Sequence, residues 1–149
     1  MKAFLIIVVG LLTLTQAGAP EVPGQWQVKF AFAGRTEMNL TFDAKAKGDG
    51  TFLLLDTAPD SRPEAGPRSA TWTQTTNDRM SFSGEVELPI GDCCRETGTL
   101  IFKGKLEANK PNSLSGKVIF IASTEDEENG IGYRAMAGTF TATRTVRAK

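Results

Sequence analysis

The chain has 149 residues, with 17 Lys and Arg, 17 Asp and Glu, and no histidine. The missing histidine excludes His-based acid–base catalysis, Ser-His and Cys-His nucleophile pairs, and His ligation of zinc or haem. The balanced charge leaves no overall electrostatic attraction for nucleic acid or an anionic membrane, and the length suits one domain.

Residues 1–17 read as a signal peptide. Lys2 gives a basic start, an apolar run from Ala3 to Leu14 is broken only by Gly10 and Thr13, and Ala17, Gly18 and Ala19 follow as small residues. The run is too short for a span of about 20 residues. Cleavage is expected after Ala17, because the other option, Ala19, would leave Pro20 at the new terminus. Removing Lys2 leaves 16 basic and 17 acidic residues, a net charge of −1. The expectation is an exported protein, secreted or periplasmic, with a single domain over residues 20–149.

Eight strands are predicted. The first, 25–33, puts Trp26, Val28, Phe30 and Phe32 on one face. The second, 36–47, alternates Met38, Leu40, Phe42 and Ala44 with polar residues, and Gly48-Asp49-Gly50 is a turn signal. The third, 51–56, is apolar on both faces and leads into a Pro-rich loop with Pro59, Pro63 and Pro67. The fourth, 69–75, centres on Trp72, and Thr76-Asn77-Asp78 turns the chain. The fifth, 79–88, and the sixth, 97–106, flank a loop carrying Cys93 and Cys94. A turn with Asn109, Pro111 and Asn112 precedes the seventh, 113–122. The acidic loop Glu125-Asp126-Glu127-Glu128 precedes the eighth, 133–145.

Four of these strands share one pattern, apolar-x-Gly-x-apolar, centred on Gly84, Gly104, Gly116 and Gly138. A glycine on the buried face of a strand marks a sharp bend or a close approach. Four bent neighbours, short connections and no helical periodicity predict an all-β fold, an eight-stranded antiparallel up-and-down β-barrel. All eight phenylalanines outside the signal peptide, and both tryptophans, fall on its inward face. Alternate connections then gather at opposite ends. The Pro-rich, cysteine and acidic loops share one rim, the expected place for recognition.

Closure of such a barrel sets Arg144, at the end of the last strand, beside Trp26. Gly24-Gln25-Trp26 opening the first strand and an inward Arg144 closing the last resemble the lipocalin (calycin) pattern, as found in small secreted bacterial barrels of unassigned role. The resemblance implies a lipocalin-like barrel in which Trp26 and Arg144 form a structural pair closing one end through a cation–π contact.

Catalytic residues and metal ligands are not expected. The inferred interior offers mainly Gln74 and Arg144 as polar groups and no inward carboxylate pair. No cofactor is implied. Cys93 and Cys94 are adjacent in an exported chain, which favours oxidation. Neighbouring Cα atoms lie only ~3.8 Å apart, so a vicinal disulfide between them would be strained. A thiol pair for a soft metal, links to a second chain, or two incidental thiols are the alternatives. The acidic loop lacks the spacing of an EF-hand and reads as solvated.

These features predict a non-enzymatic barrel binding a small hydrophobic ligand. Phe30, Phe42, Trp72, Phe82, Phe102, Phe120 and Phe140 would line it. The alternative is a barrel filled by its own side chains, acting as a protein-binding or inhibitory module through its rim loops. A third, outer-membrane reading would need the apolar faces to point outward.

Overall fold

The computed structural model describes residues 21–55, 66–90, 94–126 and 130–145; for 90, 94, 123–126 and 130–133 it describes the backbone alone. The expected signal peptide lies outside the described residues. So do most of the Pro-rich loop and Cys93.

Eight strands form a closed barrel in which each pairs with its sequence neighbours and the last pairs with the first. They are β1 (Gly24–Phe32), β2 (Met38–Ala44), β3 (Asp49–Leu54), β4 (Arg68–Thr76), β5 (Arg79–Ile90), β6 (Cys94–Glu107), β7 (Lys110–Asp126) and β8 (Gly130–Thr145). Every pairing is antiparallel. This is the up-and-down architecture expected from the alternation and implied by the lipocalin resemblance. At one end, called here the closed end, lie the start of β1, the end of β8, and the β2–β3, β4–β5 and β6–β7 turns. The β1–β2, β3–β4, β5–β6 and β7–β8 connections share the opposite rim.

The even-numbered residues of the period-two pattern point inward. Val28, Phe30, Leu40, Phe42, Phe82, Leu100, Phe102, Leu114, Val118, Phe120 and Phe140 are all buried. Lys29, Asp43, Glu85, Lys103 and Lys117 are exposed on the alternating outer positions. An outer-membrane barrel has the opposite polarity.

Several predicted boundaries are corrected. The second strand stops at Ala44 because residues Ala46–Gly48 form a tight 3-10 turn, with φ of 63° at Lys47 and 86° at Gly48. Asp49 and Gly50 then belong to β3, and the turn is clasped by the Lys45 amide donating to the Asp49 carbonyl at 2.8 Å. The β6–β7 turn is only Ala108-Asn109, with Asn109 at φ 64°. Pro111 and Asn112 therefore lie at the start of β7, beside a register shift between Leu106 and Glu107 where a proline is tolerated.

The two rim hairpins run further than expected. β5 and β6 pair up to Ile90 opposite Cys94, and β7 and β8 up to Asp126 opposite Gly130. What read as long cysteine and acidic loops is largely ladder. Alternation marks a strand only where one face is buried, whereas backbone pairing in a hairpin continues past that point.

Candidate functional site

The closed end is built from the first and last strands. Trp26 and Arg144 are register partners, and the guanidinium carbon lies 5.9 Å from the centre of the indole. The indole N–H donates to the Val22 carbonyl at 2.9 Å, which folds the segment before β1 across the barrel end and buries Val22. Arg144 donates through Nε to Asn112 Oδ1 at 2.9 Å and through Nη1 to the Glu21 carbonyl. One arginine thus ties β8, the start of β7 and the entering chain together. Trp72 stands at this same end, half-buried, and donates its indole N–H to the Lys45 carbonyl at 2.8 Å. Gln74 is bound locally, its amide donating to the Asn77 carbonyl at 3.2 Å.

Six of the seven residues expected to line a ligand are the phenylalanines Phe30, Phe42, Phe82, Phe102, Phe120 and Phe140. Their rings, together with Phe32 and Phe52, meet one another through the middle of the barrel. Phe42, Phe82 and Phe102 form a stack, with centroids 4.8 Å and 4.6 Å apart and planes 2° and 11° from parallel. Phe52 meets all three of these rings edge to face. Phe140 sets its ring nearly perpendicular to Phe82 and Phe102, at 5.6 Å and 5.1 Å, and Phe30 meets Phe102 at 5.6 Å. Phe32 and Phe120 continue the array at 6.5 Å. These separations fall within the favourable range for aromatic pairs.

Glycines make that density sterically feasible. A Cβ built on Gly84 would lie 2.7 Å from the Phe52 ring, on Gly104 2.7 Å from Phe140, and on Gly98 2.5 Å from Phe120. Phe140 reaches Gly104 across β7, where Gly116 stands in register between them. Large rings from one strand thus rest on bare backbone of another. At Gly116 and Gly138 the nearest atoms are backbone alone: a Cβ there would lie 2.1 Å from the Lys103 carbonyl oxygen and 2.0 Å from that of Ala31, while Gly98 combines both roles, 2.5 Å from the Ile121 carbonyl oxygen as well as from Phe120.

Towards the rim the inward face gains charge. Arg134 on β8 donates to the Glu96 carboxylate on β6. Ala122 on β7 stands in register between Arg134 and Gly98, so the ion pair spans a strand carrying only a methyl group. The sequence reading, which found Gln74 and Arg144 as the main inward polar groups, missed this pair. The signal was present: Glu96 is in phase with Gly98 and Leu100, and Arg134 with Met136 and Gly138. Also near the rim, Arg68 and Glu87 pair at 2.5 Å, with Arg95 4.0 Å from the same carboxylate. The candidate vicinal disulfide lies outside the described residues, since Cys93 and the side chain of Cys94 are not among them.

Asp78 lies in the β4–β5 turn at the closed end. The Thr76 hydroxyl, 2.8 Å from Oδ1, holds its carboxyl below the usual value, with Lys105 at 3.4 Å adding to the effect.

No protein-family profile matches this sequence, and no curated protein does. Among solved structures, rhizavidin is similar at 13% identity and a TM-score of 0.44, over 85% of this chain and 85% of its own. A redesigned β-barrel is similar at 19% identity and a TM-score of 0.39, over 83% of this chain and 91% of its own.

Proposed function

We propose that the protein is an exported, non-enzymatic binding barrel whose interior is occupied by its own side chains and whose recognition surface is the rim. An eight-stranded barrel is either filled or holds one small ligand. The observation that favours filling is the exposure of the central side chains. A void admitting a water-sized molecule would leave accessible surface on the groups around it. Leu40, Phe42, Leu100, Phe102, Val118 and Phe120 have 0%.

The non-enzymatic reading is supported by chemistry. The chain has no histidine, and among the described residues no buried side chain is polar or charged. Recognition at the rim is supported by topology. Four connections join strands at that end, and three of them differ in composition, Pro-rich, cysteine-bearing and acidic. Export rests on the leader pattern in residues 1–17.

The competing reading is a small hydrophobic ligand held among the phenylalanines. It requires rings such as Phe82 and Phe102 to move apart, at a cost in packing. Titration with the apolar dye N-phenyl-1-naphthylamine, read by fluorescence and native mass spectrometry, separates the two. No saturable binding is expected. A one-to-one complex whose affinity falls on Phe102→Leu substitution would overturn the filled-barrel reading and establish the interior as the site.

A further inference from the structure

The register places the outer residues of β5 to β8 in four rows. From the closed end upward they are Arg79, Lys105, Ser115 and Thr141; then Ser81, Lys103, Lys117 and Thr139; then Ser83, Ile101, Ile119 and Ala137; then Glu85, Thr99, Ile121 and Ala135. The first two rows hold two cross-strand pairs of like charge, Arg79 opposite Lys105 and Lys103 opposite Lys117. Like charges directly opposite one another destabilise an antiparallel pair. Asp78 relieves Lys105 at 3.4 Å. Among the described residues, no carboxylate lies within ion-pair distance of Arg79, Lys103 or Lys117. These residues border a shallow groove on the barrel wall, with Ser81 and Ser115 in its lining. Directly above, Ile101, Ile119 and Ile121 form an outward apolar band, with Ile119 38% exposed.

We propose that this face of β6 and β7 is a docking surface for a protein segment that presents carboxylates beside apolar side chains. Carboxylates would neutralise Lys103 and Lys117, and the apolar side chains would cover the isoleucine band two residues along the same strands. The joint demand selects the partner class. A nucleic acid would use the cations and leave the isoleucines exposed, and this face has no aromatic side chain on which a base could stack. A membrane-surface site needs large apolar groups that insert below the headgroups, whereas these isoleucines lie on a sheet wall level with the lysines. The surface lies on the side of the barrel, away from the rim, and is independent of whether the interior is filled.

A synthetic peptide alternating glutamate and leucine tests this on the whole mature protein, with amide shifts followed by NMR. Expected are shifts confined to residues around Ile101, Lys103, Lys117 and Ile119, and affinity that falls as salt rises. The double variant Lys103→Glu, Lys117→Glu should weaken binding at least tenfold, and Ile119→Ser should weaken it at constant charge. The single variant Lys117→Glu replaces a repulsive pair by an attractive one, so its melting temperature should equal or exceed that of the parent, showing that lost binding is not lost folding. Absence of peptide binding, unchanged affinity in the double variant, or shifts on another face would overturn the proposal. So would binding of an oligonucleotide or phosphatidylglycerol vesicles to this face in place of the peptide.

Discussion

Arg144 lies over Trp26, 5.9 Å from ring centre to guanidinium carbon, and the two are register partners across the seam where the last strand meets the first. Since Arg144 also holds Asn112 and the carbonyl of Glu21, it closes the barrel and anchors the chain entering it. Arg144→Met should keep the stem packed but lose the cation and its donors. A loss of about 1–3 kcal/mol is expected, from a cation–π contact and charged hydrogen bonds of ordinary strength. Urea denaturation checks it, and Arg144→Lys should recover part of the loss. Full stability in Arg144→Met would mean that Trp26 and Val22 close this end unaided.

The central rings give the largest expected effect. Phe102 touches Phe30, Phe52, Phe82 and Phe140 and has no accessible surface. Phe102→Ala should cost about 3–5 kcal/mol and open a dry cavity. Benzene or xenon should then raise the melting temperature of the variant and leave the parent unchanged. A ligand effect of equal size on both proteins would show that the parent already contains usable space.

The glycines should rank by what lies above them. At Gly84 an added methyl group meets the edge of Phe52 at 2.7 Å and the Ser69 carbonyl oxygen at 2.9 Å, and the overpacking should cost about 1–3 kcal/mol. At Gly138 it meets the backbone of Ala31, with the carbonyl oxygen 2.0 Å away. Gly138→Ala should therefore destabilise more than Gly84→Ala, because its backbone clash is far shorter and two strands must separate, whereas at Gly84 a ring tilt and a small backbone shift suffice. Chemical denaturation of both variants tests the order; equal losses would remove the distinction between ring rests and strand contacts.

Asp78 supplies a pH-dependent prediction. Its carboxyl is held below the ordinary value, first by Thr76 and then by Lys105. A depressed folded value means that its contribution is present above the unfolded value and is lost as pH falls through the folded one. Thr76→Val should raise the titration midpoint of Asp78, followed by carboxyl-carbon NMR, and move this loss to higher pH. An unchanged midpoint would assign the shift to Lys105.

The period-two pattern carried the strand count, the inward set of phenylalanines and the polar outer face, because burying one face of a sheet requires that alternation whatever the loops do. It also gave the meeting of Trp26 with Arg144 once closure was assumed. Strand ends are poorly legible where no buried face remains to enforce alternation, so the ladders to Ile90 and Asp126 look like loops in the sequence. The same gap hid the partner of Arg134: Glu96 looks like a loop charge, although Arg134 falls within the predicted eighth strand, until β6 and β8 are brought together on either side of Ala122. The four-glycine motif marks bends or close approaches without saying what approaches. Only the three-dimensional packing decides, because Phe52 and Phe140 reach Gly84 and Gly104 across an intervening strand, a contact set by barrel curvature and side-chain rotamers that local sequence does not encode.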